Sequence, residues 1–387
     1  MTKPLHVAQV MGHMSGGGVE QVIMNYYRHI DRSKIQFDFI VDSDSKYIPM
    51  EEIKSLNGSI YVVPPYKNLV SYIYACEQIF SKIKPTIVHS NLNSLSVFPL
   101  AAAKHAQIPI RIAHCHTVAS PIQSENLKAF IKESLKHFSK IYPTHLAACS
   151  KSAGEWLFGE KTYNSGKVRI IKNAIDIEKF SFSSQVRKQK REELGIPPHQ
   201  IVVGQVGRLC KVKNQLFTVK IFAEFLKENP EAVLVIAGDG ELRSTLEDKV
   251  AALGIENNVR LLGMRTDISE LYQAFDVLMF PSMYEGLGLT AIEAQSSGLP
   301  VLSSSNLPED VYVIPELLYP LSLDEPISAW VDNLRKATVY GRTKRSNKEL
   351  TFRRKLILQN AGYDINKNSQ ALASWYLSIA GNNFVSM

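Results

Sequence analysis

The stretch Tyr284–Leu302, YEGLGLTAIEAQSSGLPVL, decides how this chain is read. Ahead of it, Val277–Pro281 (VLMFP) has the make-up of a buried strand that stops at a proline. Inside it, Thr290–Ser297 is built of helix formers and halts at Gly298-Leu299-Pro300. Glu285 and Glu293 therefore bracket a strand-to-helix turn that carries Gly286 and Gly288. Such a turn aims backbone N–H groups and the positive end of a helix dipole at one point. Its glycines let a ligand approach the backbone closely. An ordinary βα turn with two surface acids would show the same spacing.

Outward from this stretch, strand and helix patterns alternate. Upstream, strands are expected at Ile201–Val206, Ala232–Ala237 and Val259–Leu262, with helices at Gln215–Lys227, Glu241–Leu253 and Ile268–Ala274. The first half repeats the pattern, with strands at Leu5–Met11, Phe37–Val41, Ile60–Val63, Thr86–His89, Arg111–His116, His145–Cys149 and Val168–Ile171. Helices are expected there at Val19–Ile30, Leu69–Ile83 and Ser94–His105. This alternation predicts an α/β protein with parallel sheets covered on both faces. It breaks between Asn173 and Gln200, where the polar run Ser181–Arg191 precedes Pro197-Pro198. The chain is therefore divided into a domain at 1–180, a second at 181–365, and a last helix at 366–387 that packs back toward the first. Arg342–Lys355 reads as a charged helix. Two similar α/β halves place the expected site in the cleft between them, outside the C-terminal ends of the strands.

A length of 387 residues, with 45% apolar and 21% charged residues, fits two globular domains. No apolar run reaches the roughly 18 residues of a membrane span. The N-terminus reads as the first strand and not as a signal peptide, so the expected location is the cytoplasm. Cys76, Cys115, Cys149 and Cys210 are scattered, with no C-x-x-C, and are expected reduced. The net charge of +7 resides wholly in residues 1–185, which hold 21 Lys and Arg against 14 Asp and Glu; the rest hold 23 of each. A basic first half points to an anionic partner. No basic stretch is interleaved with aromatics and no nucleic-acid motif occurs, so nucleic acid is not the expected partner.

Four further motifs follow strands. Gly16-Gly17-Gly18-Val19-Glu20 opens a helix and offers backbone N–H groups to an anion, although it is neither a dinucleotide fingerprint nor a Walker loop. Gly207-Arg208-Leu209, with Lys213-Asn214 close behind, places two cations where they could neutralise a diphosphate, Arg208 as a fork and Lys213 as a point charge. Ala237-Gly238-Asp239-Gly240-Glu241 and Leu261-Leu262-Gly263-Met264 could wall a flat slot for a base. His116 ends a strand; His114 shares its face only while the strand persists, and His89 and His13 lie near the same rim. His-Cys-His has no evident third metal ligand.

Taken in order, GGGVE, GRLCKVKN, AGDGE, VRLLGM and EGLGLTAIEAQSSGLPV resemble the GT-B glycosyltransferases of family 4, and most of all bacterial enzymes that build capsular and exopolysaccharides. The resemblance spans nearly the whole chain and includes the spaced acid pair Glu285 and Glu293 of retaining enzymes. It implies two Rossmann-like doubly wound domains facing across a cleft. It implies a nucleotide-sugar donor, UDP being the common choice, and a lipid-linked or oligosaccharide acceptor. Arg208 and Lys213 would hold the pyrophosphate, Glu293 the ribose hydroxyls, and Glu285 with Gly286, Leu287, Gly288 and Leu289 the donor sugar. Gly17, Gly238 and Leu262 would complete the donor site, Gly16 and His13 would lie on the acceptor side, and His116 and Glu285 would be the catalytic pair. Leu287 stands where the family often has Phe, Ala174 where it often has Gly, and His89-Ser90-Asn91 where His-x-His is common. No cofactor and no metal are expected; Asp42-Ser43-Asp44 spells D-x-D but lies far from the donor motifs. Other readings are a GT-B epimerase or a non-catalytic nucleotide-sugar-binding subunit.

One more feature bears on location. Glu125–Tyr142 sets Lys128, Lys132, Lys136 and Lys140 four residues apart, along one helix stripe. This helix is expected to meet anionic headgroups on the cytoplasmic face of a membrane. A solvated lysine face on a core-packed helix would look the same.

Overall fold

Short apolar runs in the first half pair into one seven-stranded parallel sheet. Its strands are β1 (Leu5–Gly12), β2 (Ile35–Asp42), β3 (Ser59–Val63), β4 (Ile87–Ser90), β5 (Ile110–Cys115), β6 (His145–Ala148) and β7 (Val168–Ile170), in the order β3-β2-β1-β4-β5-β6-β7. A six-stranded parallel sheet follows: β8 (Val202–Val206), β9 (Val233–Ala237), β10 (Val259–Gly263), β11 (Val277–Phe280), β12 (Val301–Ser304) and β13 (Leu318–Leu321), in the order β10-β9-β8-β11-β12-β13. The computed structural model describes residues 3–117, 133–286 and 288–385. They form two units, one running to Ala174 and resuming at Asp364, the other spanning Ile175–Tyr363.

In each sheet the strand order reverses once, between β1 and β4 and between β8 and β11. Connections leave on opposite faces at such a switch point, and a crevice opens at the strands' C-terminal ends. Successive residues of a strand point to opposite faces of the sheet, and here both faces are buried. In the second unit Val235, Leu278 and Val301 enter the core on one face, while Leu234, Met279 and Leu302 enter the core on the other. In the first unit Ala8, Val88, Ala113 and Ala148 enter one core together with Tyr72, Leu100 and Leu157.

Several elements differ from the sequence reading. Ser181–Arg191 was expected to be a polar junction, but Ser184–Glu193 is a helix of the second unit, capped by Ser183, whose Oγ accepts from Val186 N. Its Lys190 and Arg191 are buried. They are tolerated because the first meets three carboxylates and the second meets Asp276 and four backbone carbonyls. The units therefore part at Ala174, ahead of the expected residue 180. The charged helix expected at Arg342–Lys355 is two helices, Ile327–Thr343 and Lys348–Asn360, parted where Asn347 Oδ1 caps Leu350 N at 3.0 Å. Strands β12 and β13 were not foreseen; β13 carries Pro320 and sits at the sheet edge, where a missing N–H is harmless. The last helix spans Ile365–Val385 and belongs to the first unit, where it packs on the helix Gly18–His29. No helix among the described residues is long and apolar enough to cross a membrane.

Candidate functional site

The switch point of the second sheet gathers the loops that follow β8 and β11. Backbone and side-chain bonds tie the two loops together: Met283 N donates to Val212 O at 2.8 Å, and Asn214 Nδ2 to Pro281 O at 3.2 Å. Gln205, on β8 itself, donates to Lys213 O at 2.9 Å. This scaffold delivers Lys213 to Glu285, with Nζ 2.6 Å from Oε1 and 5.2 Å over the Phe280 ring. The Glu285 side chain is 8% exposed, so the ion pair is charge-assisted and shielded from water. Arg208 stands exposed at the end of β8, its carbonyl accepting from Gln215 Nε2.

Gly238 follows β9 at φ +142°, and a Cβ there would lie 2.0 Å from Gly207 O. Only glycine lets the ends of β8 and β9 close together in this way. Gly238 N also donates to Gly263 O at 2.8 Å, which brings in the end of β10 beside the half-buried Leu262. Gly288 caps the helix Leu289–Ser296 from the left-handed region, at φ +71°, so Leu289 begins the helix with its N–H groups facing the turn. Gly286 lies in the same turn, and Leu287 lies outside the described residues.

One turn into that helix, Glu293 Oε2 accepts from the Tyr272 hydroxyl at 3.0 Å. Tyr272 is fully buried; Glu293 keeps part of its surface accessible. Burial raises the Glu293 carboxyl to about 7, against smaller lowering effects of Tyr272 and Lys179. Tyr272 thus holds one carboxylate oxygen of Glu293 in place. Sequence reasoning missed Tyr272, because 21 residues separate the two.

In the first unit His116 follows β5 directly and is buried. Its backbone N donates to Asn93 Oδ1 at 2.7 Å, and Nε2 lies 2.9 Å from Asn91 Oδ1. The ring lies against that of His114, tilted by 38° with centroids 3.8 Å apart, and His114 Nδ1 lies 3.0 Å from His89 Nε2. Burial drives the three imidazoles down, His89 to about 3, His116 to about 4 and His114 well below its ordinary value, so all are neutral. His116 Nδ1 and Asn173 Oδ1 are buried with no hydrogen-bond partner among the described residues, although Asn173 is near enough to favour the charged imidazole. Gln9, Asn91 and Tyr376 join these histidines, a link that no local sequence pattern signals.

Other expected positions are less enclosed. Gly17 is the N-cap of Gly18–His29, and Gly16 precedes it at φ +76°. His13 is exposed and pairs with Asp44 at 3.0 Å, and Asp44 also lies 3.8 Å from Lys67. Burial and Asp44 raise the neighbouring Asp42 to about 6. The D-x-D pair joins no cluster of three metal-type ligands among the described residues. The cluster that exists, Glu193, Asp267 and Glu270, already holds Lys190 Nζ at 2.5, 2.7 and 2.8 Å, so an ammonium fills the place a cation would take.

The lysine stripe is not continuous. Lys128 and Lys132 lie outside the described residues. Lys136–Phe138 is a 3₁₀ turn, and residues 139–140 form a turn, so the i,i+4 register of an α-helix ends there. Lys136 pairs with Glu133 at 2.6 Å and lies over the Trp156 ring. Lys140 donates to Phe158 O and Thr162 Oγ1, each at 3.2 Å, and Ser139 Oγ to Leu157 O at 3.0 Å, binding the segment to the end of the helix Lys151–Phe158.

Comparison with known proteins converges on one family. Residues 16–179 match the model described as Glycosyltransferase Family 4, and residues 186–317 the model described as Glycosyl transferases group 1. EpsF, a protein of Bacillus subtilis (strain 168) named as a glycosyltransferase, is 32% identical over 376 residues, 96% of each chain. The UDP-Gal:alpha-D-GlcNAc-diphosphoundecaprenol alpha-1,3-galactosyltransferase of Escherichia coli is 29% identical over 272 residues, 69% of this chain and 68% of its own. HepE of Anabaena, solved in complex with UDP-glucose, shares the fold with a TM-score of 0.74 at 18% identity, over 97% of this chain and 100% of its own. WaaG, a glycosyltransferase involved in lipopolysaccharide biosynthesis, does so with a TM-score of 0.71 at 15% identity, over 95% and 98%. Matched by EpsF along nearly its whole length and built of two parallel-sheet α/β units, this chain belongs to the glycosyltransferases of the GT-B fold.

Proposed function

We propose that this glycosyltransferase is a retaining enzyme that moves a hexose from a UDP-sugar to a lipid-linked saccharide in the assembly of a cell-surface polysaccharide. The observation that carries the reading is the Lys213–Glu285 pair at the β8/β11 switch point, with Glu293 on the helix that follows. A cation, a shielded acid and a hydroxyl-reading acid are what a diphosphate, a sugar and a ribose require. Lys213 and Arg208 take the diphosphate, Glu293 the ribose hydroxyls, and Gly238 and Leu262 the base. Glu285 and the backbone of residues 286–289 hold the sugar, with His116 beside its reacting carbon. Gly17 completes the donor site, and Gly16 and His13 serve the acceptor side.

During transfer the bond from the anomeric carbon to the diphosphate oxygen breaks, and the acceptor hydroxyl oxygen takes its place. The hydroxyl proton ends on the departing diphosphate or in solvent. Negative charge grows on the leaving group, and Lys213, Arg208 and the N-terminus of the helix Leu289–Ser296 offset it. The reading assigns no metal, and turnover is expected to persist in a chelator. The UDP-glucose bound to HepE and the diphosphoundecaprenol acceptor of the Escherichia coli relative support the choice of donor and acceptor. Contact with a membrane's cytoplasmic face through Lys128, Lys132, Lys136 and Lys140 belongs to the same proposal; it is rejected if changing all four to Glu leaves binding to anionic vesicles unaltered.

The test is acceptor-dependent release of UDP from a panel of UDP-sugars with a polyprenyl-diphosphate saccharide. Product with the donor's anomeric configuration is expected. Interconversion of free donor sugars without acceptor would favour an epimerase. Donor binding with neither reaction would favour a non-catalytic subunit.

A further inference from the structure

A single chain of hydrogen bonds links the C-terminal helix to His116. Tyr376, fully buried on that helix, places its hydroxyl 2.6 Å from His89 Nδ1 and 3.2 Å from Gln9 Nε2. From Gln9 the chain runs to Asn91, whose Nδ2 donates to Gln9 Oε1 at 3.0 Å, and from Asn91 Oδ1 to His116 Nε2. From His89 it runs the other way to His114, whose ring lies tilted against that of His116. The two ends of the chain therefore meet at one pair of rings.

The chain has a direction. Asn91 Nδ2 also reaches Met11 Sδ at 3.6 Å, and a thioether only accepts. This orients the Asn91 amide, leaves its oxygen toward His116, and puts the ring proton on His116 Nε2. Gln9, having accepted from Asn91 through Oε1, donates through Nε2 to the Tyr376 oxygen. The Tyr376 proton then points to His89 Nδ1, so His89 carries its proton on Nε2 and gives it to His114 Nδ1. Reversal at any one member sets two donors or two acceptors face to face. The rings are neutral, so the position of the proton is the freedom that remains to each.

We propose that Tyr376 is a positioning residue for the transfer reaction: through Gln9 and Asn91 it holds His116 as the Nε2–H tautomer and keeps the proton off the buried Nδ1. The link to the transfer reaction rests on the function proposed above; the tautomer does not.

The test uses full-length protein labelled with ¹⁵N at histidine and read by long-range ¹H–¹⁵N spectra without substrate, the His116 signals being those lost in His116→Gln. The wild type is expected to show His116 as one tautomer, Nε2–H. Tyr376→Phe and, independently, Gln9→Leu are expected to show both tautomers. Leu372→Ala, which loosens the same helix but keeps the hydroxyl, is expected to leave Nε2–H alone. With donor and acceptor, Tyr376→Phe should lower kcat roughly tenfold at unchanged KM for the donor. An Nδ1–H tautomer in the wild type, or Nε2–H unchanged in both Tyr376→Phe and Gln9→Leu, overturns the proposal. Nε2–H in the wild type and both tautomers in the two variants, in a protein that transfers no sugar, would uphold it and reject the functional reading instead.

Discussion

Lys213 and Glu285 neutralise each other at 2.6 Å across the β8/β11 switch point, one following the first strand of its sheet and the other following the fourth. Removing either leaves an unmatched charge in a shielded place. Lys213→Ala should lower kcat by about 10² to 10³, the cost of losing one preorganised donor to a developing oxyanion. Steady-state UDP release measures it; a loss under threefold would place the diphosphate elsewhere.

The two acids of the opening stretch should separate kinetically. Glu293→Ala is expected to weaken UDP binding, read by titration calorimetry, while Glu285→Ala chiefly lowers turnover. Equal and negligible effects would return Tyr284–Leu302 to a plain βα turn.

Glu293 should also show in the pH dependence. Its carboxyl is raised from 4.5 to about 7 by burial, so between these values the folded state holds a proton that the unfolded state has lost. Its stability contribution is complete below about pH 4.5 and is lost as pH rises through 7. Glu293→Gln should therefore gain on the wild type in thermal midpoint as pH climbs across that window. A constant difference would show that Glu293 titrates normally.

The buried histidines act with the opposite sign. His89 and His116 are lowered from 6.5 to about 3 and about 4, so the unfolded chain takes up protons first as pH falls. Stability is complete above pH 6.5 and declines below it, by at most about 1.4 kcal/mol per pH unit for each ring. Urea titrations from pH 7 to 5 should show this slope, shallower in His89→Gln.

Asp276 is fully buried, pairs with Arg187 and with Arg191 at 2.8 Å, and accepts from Val202 N at 2.9 Å. Asp276→Ala strands two arginines and should cost about 3–5 kcal/mol in denaturant unfolding. A loss below 1 kcal/mol would mean that the backbone carbonyls around these arginines suffice.

The strand–helix alternation was legible because both faces of each sheet are buried, and this writes continuous apolar runs into the chain. The Tyr284–Leu302 turn was legible because a strand, glycines and a helix lie in a row. The helix Ser184–Glu193 was not: its basic composition reads as solvent-facing, and its partner Asp276 lies 85 residues beyond Arg191. Strand β13 was hidden by its length of four residues and its proline.

By itself, then, the sequence determined the two α/β units and the local turns that carry Arg208, Lys213, Glu285, Glu293 and His116, since these depend on periodicity and on residues adjacent in the chain. Only the tertiary structure decided which of them meet. Lys213 finds Glu285 because β8 and β11 are neighbours at a switch point, and His116 is tied to Tyr376 because the last helix returns to the first unit, bringing His89 and Tyr376 together across 287 residues. Partners so distant leave no local pattern; their pairing is set by strand order and by the burial of polar groups that must be satisfied.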